Sequence, residues 1–300
     1  MKSSALVFLA AFIALSASWG GFVLAPQLQL GRAAQVKTVP AQDNYPVARP
    51  GLAAQGAEVY RSLGCVYCHS QSVGQEGVKC EIVLTDAGTN ATATLAALGK
   101  INPALAQVAA LTALPKTLMS LADINAADPI LKALGSAGAK AQVVVSALGP
   151  DIARGWGRRR SVAQDYLYDS PVQPGTRRAG PDLANVGVRQ PDVNWQLRHL
   201  YAPASLVPGS TMPPYRFLFA ERKLKPGQPP LPNAIPLTAA GVFFDVSKDT
   251  GPADRELVPT DEARSLVAYL VSLRADAPLF ESPFTAPAAP PAAATNAPAK

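Results

Sequence analysis

The hydrophobic pattern divides the chain sharply. From Ser3 to Gly31 no side chain is charged, and Ala5 to Leu30 is apolar almost throughout. Crossing the hydrocarbon core of a bilayer takes about 20 mostly apolar residues, whereas the apolar core of a secretory signal is only about 7–15. Ala14-Leu15-Ser16-Ala17-Ser18 has the small residues of a cleavage site, so a removed signal is the competing reading. Length favours an uncleaved anchor over residues 1–30.

Residues 31–50 carry prolines and no hydrophobic period, and read as a linker. Over Gly51–Gly64 the pattern turns helical, with Leu52, Val59 and Leu63 sharing a face with Ala53 and Gly56. Residues 76–153 are rich in Ala and Leu. Their pattern predicts a helical insertion, with helices over Leu95–Ala110 and Leu131–Leu148 broken near Pro103, Pro115 and Pro129. Lys100 and Lys116 interrupt the apolar run, so no second membrane span is assigned there. Residues 154–259 read as loop-rich. Thr260-Asp261-Glu262 then opens a helix, with Thr260 as N-cap and two acids at its positive end. Ala263, Leu266, Val267, Leu270 and Leu273 form its apolar stripe. Residues 276–300 are Ala/Pro-rich and predict a disordered tail. The fold class expected is mainly α, a single transmembrane helix followed by one domain over residues 51–275.

Composition agrees with this division. Charged residues make up only 16% of the 300, and Pro numbers 29, as suits a membrane segment joined to long irregular loops. The net charge of +6 is compatible with anionic lipid or an acidic partner. The cations are scattered apart from Arg158-Arg159-Arg160, which reads as a solvated loop, so nucleic acid has no patch to bind.

Cys65-Val66-Tyr67-Cys68-His69 carries the chemistry. Residues three apart on a helical turn lie about 5–6 Å apart, so two thiols reach the two vinyl groups on one edge of a porphyrin. His69 then points at the iron. A Cys-x-x-Cys-His run is the attachment sequence for c-type heme. A zinc site would consume nearly all of the three Cys and two His in the chain, and a redox Cys pair wants a βαβ context that is missing. With Cys65 and Cys68 used as thioethers, Cys80 is left alone and no internal disulfide is possible. Bacterial heme c is attached on the outer face of the cytoplasmic membrane, which places the N-terminus inside and the domain on the periplasmic side.

The sixth iron position has few candidates. Met212, in Ser210-Thr211-Met212-Pro213-Pro214-Tyr215, is favoured, because two prolines stiffen the loop carrying the thioether and a neutral sulfur raises the potential. His199 would give a bis-His site, and an open site remains a third reading. Met119 lies in a stretch read as helical and as core packing. A closed iron favours electron transfer over catalysis, so whether the chain counts as an enzyme is left open.

Three blocks carry a resemblance: Tyr60–Gln71 around the attachment run; Tyr168-Asp169-Ser170-Pro171 with Gly175–Gly187; and Trp195–Leu200 with Pro203 and Val207–Tyr215. Together with the anchor and Val267-Ala268-Tyr269-Leu270, they resemble the monoheme, membrane-anchored cytochrome c subunit (subunit II, CcoO/FixO type) of cbb3-type cytochrome c oxidases. The resemblance implies a class I-like cytochrome c domain with one covalent heme c on Cys65 and Cys68, and His69 and Met212 as axial ligands. It implies that the Pro181 carbonyl orients the His69 ring. The implied partners are the membrane, the catalytic heme–copper subunit, a further cytochrome c subunit and a soluble donor cytochrome. The Ala-rich insertion, Gln196, and Val172-Gln173-Pro174 depart from the family pattern. The cytochrome subunit of a nitric oxide reductase and a free-standing membrane cytochrome or heme sensor are the alternatives.

Overall fold

A computed structural model describes residues 4–30, 34–106, 114–225, 228–238, 243 and 253–285. Helix α1 (Ser4–Trp19) runs through one π-type turn (Gly20–Leu24) into α2 (Ala25–Leu30). Pro26 explains the wide turn. It has no N–H, and its ring crowds the carbonyl four residues back, so the ladder slips and Ala25 N–H bonds Gly20 O. The span Ser4–Gln29 is 26 residues long, with mean hydropathy 2.0 and none of its apolar window buried, so it is long and apolar enough to cross a membrane.

Residues 34–50 form more than a plain linker. Strands β1 (Val36–Lys37) and β2 (Asn44–Tyr45) pair antiparallel. Tyr45 then donates to Asp165 at 2.7 Å, tying this segment to the domain.

Helix α3 (Gly51–Ser62) buries Ala53, Gly56 and Tyr60. Val59 and Leu63 pack at the margin of the same core, but Leu52 is exposed. The buried stripe is displaced from the one expected because α3 presents its smallest residue to the last helix, α10 (Asp261–Ser272). A Cβ on Gly56 would sit 1.8 Å from the Ser265 carbonyl oxygen, so only Gly permits the crossing. Tyr60 and Tyr269 meet beside it, ring centroids 5.3 Å apart. Helix α10 has the expected form: Thr260 caps Ala263 N–H at 3.2 Å, and the five stripe residues are buried.

The stretch 76–153 is not the all-helical insertion predicted from its composition. It folds as β3 (Gly77–Asp86), α4 (Ala91–Ile101), β4 (Lys116–Leu121), α5 (Ala127–Ser136) and β5 (Lys140–Leu148), followed by the short α6 (Pro150–Ala153). The strands make one antiparallel sheet in the order β4-β3-β5. Ile82, Leu84, Leu98, Leu118 and Leu134 form its core, with Met119 at the edge, so Met119 is a packing residue on a strand. The predicted helix over 131–148 ends at Ser136 and gives way to β5. Gly138 at φ +85 turns the chain, and Val143-Val144-Val145 favours the pleated strand over the helix. The first predicted helix stops at Ile101, and its remainder runs into 107–113, outside the described residues.

Beyond α6 lie three short helices, α7 (Val186–Arg189), α8 (Val193–Tyr201) and α9 (Pro203–Leu206). A second sheet follows in the order β6-β8-β7, from β6 (Phe219–Lys223), β7 (Ile235–Thr238) and β8 (Ala253–Pro259). The fold is therefore mixed, with two three-stranded sheets and the small β1-β2 pair that the mainly α expectation lacked. Its main core joins α3, α8 and α10 to this second sheet through Tyr60, Leu197, Leu200, Leu257 and Leu266.

The C-terminal segment also departs from expectation. Leu279 and Phe284 are buried, and Thr285 pairs with Val145 on the edge of β5. Residues 276–285 are therefore packed, where a disordered tail was expected from residue 276. Residues 286–300 lie outside the described residues.

Candidate functional site

Helix α3 ends at Leu63, and Gly64 takes the left-handed conformation (φ +71) that reverses the chain. A 3-10 turn over Cys65–Tyr67 follows, with Cys68 N–H bonding Cys65 O at 3.1 Å and His69 N–H at 3.0 Å. Since α3 is fixed by its crossing with α10, this turn has a rigid origin.

A second segment clamps the turn. Gly180 N–H donates to Cys68 O at 2.9 Å, Leu183 N–H to Ser70 O at 2.8 Å, and Gln71 N–H to Pro174 O at 2.8 Å. The Pro181 carbonyl lies 2.8 Å from His69 Nδ1. With the proton on Nδ1 donated there, Nε2 keeps its lone pair for a metal. Gly180 lies flat against the ring: a Cβ there would fall 2.2 Å from His69 Cε1.

Met212 arrives from the other side of the fold. Gly209 (φ +78) turns the chain after α9, Met212 N–H meets Ser210 Oγ at 3.3 Å, and Tyr215 N–H anchors the loop to Leu200 O at 2.8 Å. His199 stacks on Trp195, ring centroids 4.7 Å apart.

These segments enclose a cavity of about 370 Å³. Cys65, His69, Pro181, His199 and Met212 all line it, with Leu183, Val186, Leu200, Leu266 and Leu270 among its apolar walls. Of the heme-contacting residues named from sequence, Cys68 is the one not on the wall; it is exposed at the end of the turn. Met119 and the buried thiol of Cys80 belong to the inserted sheet, away from this wall.

Burial dominates the electrostatics. It pushes the Cys65 thiol up to about 11 and holds the His69 imidazole below its usual value, opposed by the Pro181 hydrogen bond and the charge of Asp182. It lowers His199 as well. Arg189 and Gln190 also line the cavity, and nothing in the local sequence marked them. Arg189 Nε and His199 Nδ1 are buried without a hydrogen-bond partner. Apolar walls, a glycine cradle under an imidazole, a thioether and two unpartnered polar nitrogens fit a flat porphyrin with acidic substituents.

Residues 139–228 match the family described as cytochrome c oxidase, mono-heme subunit/FixO. Over that stretch the chain is similar to the FixO family. The match takes in Pro181, His199 and Met212 and begins downstream of Cys65–His69. The resemblance read from the sequence blocks is thus supported, and a mono-heme subunit of a cytochrome c oxidase is the function the family implies. No curated protein matches the chain.

Proposed function

We propose that the chain is the electron-relay subunit of a cbb3-type oxidase, carrying one heme c bound covalently through Cys65 and Cys68. His69 and Met212 would hold its iron, and Ser4–Gln29 would anchor the chain with the domain on the outer face of the membrane. One observation carries this reading: Cys65, His69 and Met212 line one cavity while the Pro181 carbonyl holds His69 Nδ1 at 2.8 Å. Heme c supplies a one-electron ferric/ferrous couple. The chain's own residues do the rest. Pro181 fixes the tautomer and orientation of the imidazole. The leucines around the cavity exclude water, and Pro213-Pro214 stiffen the loop that delivers the thioether. Electrons would enter from a donor cytochrome and leave toward the catalytic heme–copper subunit. The family match favours this reading over a nitric oxide reductase subunit. His199 is the second candidate for the sixth position, because it lines the same cavity with Nδ1 unpartnered.

The test is purification from native membranes. The mass of the chain should rise by that of one heme, and a copper-containing subunit should co-elute. The near-infrared sulfur-to-iron band should vanish in Met212→Ala. A chain without covalent tetrapyrrole would overturn the reading, a parent protein that lacks the band would transfer the sixth position to His199, and a band that survives Met212→Ala would refute Met212 as the ligand.

A further inference from the structure

Behind the imidazole lies a buried charged group that none of the roles above uses. Asp182 follows Pro181 directly and is 0% exposed. Its Oδ2 accepts the Ser70 hydroxyl and the Ser72 N–H (2.8 Å), and its Oδ1 accepts the Ala184 N–H at 2.8 Å. Every one of these contacts is a donor aimed at a carboxylate oxygen. The carboxylate therefore staples the residues just after His69 to the segment that presents the Pro181 carbonyl.

The nearby charges are few. Arg178 lies 3.9 Å from Asp182 Oδ2, but its guanidinium is engaged elsewhere: Nε donates to Ser70 Oγ at 2.9 Å, and Nη1 to Asp151 Oδ1 at 2.9 Å. Asp151 is itself buried, binds Gly74 N–H at 2.7 Å, and has the exposed Arg154 at 3.7 Å. Arg189 meets the backbone carbonyl of Asp182 rather than its carboxylate. Two buried carboxylates thus share one close guanidinium, and the nearer to the imidazole is Asp182.

We propose that Asp182 is a positioning residue for the iron ligand and a determinant of the heme potential. Its carboxylate holds Pro181 O on His69 Nδ1, and its negative charge favours the ferric over the ferrous state. The proposal rests on the heme reading above. A fixed anion near the iron stabilises the more positive oxidation state, and a firm hydrogen bond from Nδ1–H makes Nε2 a stronger donor in the same direction.

The experiment is spectroelectrochemical titration of the purified holoprotein, with the sulfur-to-iron band recorded as a check on ligation. Asp182→Asn, which removes the charge and keeps the size, should shift the midpoint potential upward with the band retained. Ser70→Ala, which removes one staple contact and leaves the charge, should give a clearly smaller upward shift than Asp182→Asn. Asp182→Glu should stay near the parent. An Asp182→Asn protein with covalent heme, an intact band and an unchanged or lower potential would overturn the proposal. An equal upward shift in Ser70→Ala would overturn it too, by tracing the effect to loop packing. Absence of covalent heme in the parent protein would instead defeat the function proposed above.

Discussion

Replacing Gly56 by Ala tests the crossing that places the Cys65–Tyr67 turn. The added Cβ would lie 1.8 Å from Ser265 O, 2.4 Å from Ser265 C and 2.8 Å from Tyr269 Cβ. Ordinary contact begins at 3.4 Å, so α3 and α10 must separate by about 1.6 Å. A gap of about 0.5–1 Å already forfeits a quarter to a half of the dispersion well. Tyr60, Leu266 and Tyr269 are each 1% exposed at this crossing. At about 1.5–3 kcal/mol per buried side chain, losing half of two or three of these contributions costs about 2–4 kcal/mol. The helix propensity of Ala over Gly returns about 1 kcal/mol. The net destabilisation is about 1–3 kcal/mol, a fall in Tm of about 2–12 °C at this size. Gly51→Ala is the control, because nothing lies within 4 Å of its Cβ position. Thermal melts of both purified variants by circular dichroism read the difference. A Gly56→Ala protein as stable as Gly51→Ala would refute the packing argument.

Three further outcomes follow from the geometry. Asp165 bonds Arg159 at 2.8 and 3.0 Å, and Arg159 is 0% exposed, so Asp165→Ala should cost about 3–5 kcal/mol in urea unfolding, with much of it recovered in Arg159→Met/Asp165→Ala. Thr285→Val removes the acceptor 2.7 Å from Val145 N–H; that amide should exchange faster, and stability should drop by about 1–3 kcal/mol. Burial holds His199 below 6.5, so below that pH the unfolded chain binds the proton that the folded chain refuses. Its contribution to stability should decline as pH falls through about 6.5 toward the lower folded value and then level off. His199→Gln should flatten that part of the urea-midpoint profile.

The Cys65–His69 turn, the apolar N-terminal span, the N-cap at Thr260 and the stripe of α10 were legible because each is a local pattern. Two thiols and an imidazole at fixed spacing, 26 residues of uncharged helix, or a hydroxyl three residues before a free N–H depend on neighbours in the chain alone. Pro181 was reachable only through family likeness, and Met212 only as one of a few candidate ligands marked by the prolines after it, since each lies more than a hundred positions from His69. The inserted sheet was missed for another reason. Ala and Leu suit helix and buried strand alike, and what decides β3 and β5 is their long pairing with each other, a contact between distant residues. The same holds for Arg189, Asp182 and the buried stripe of α3. A charged residue reads as surface in a sequence, and Gly56 reads as a weak point in a helix. Their roles arise when distant segments close around them, because burial strengthens a charge and a missing Cβ matters only where another backbone comes within reach.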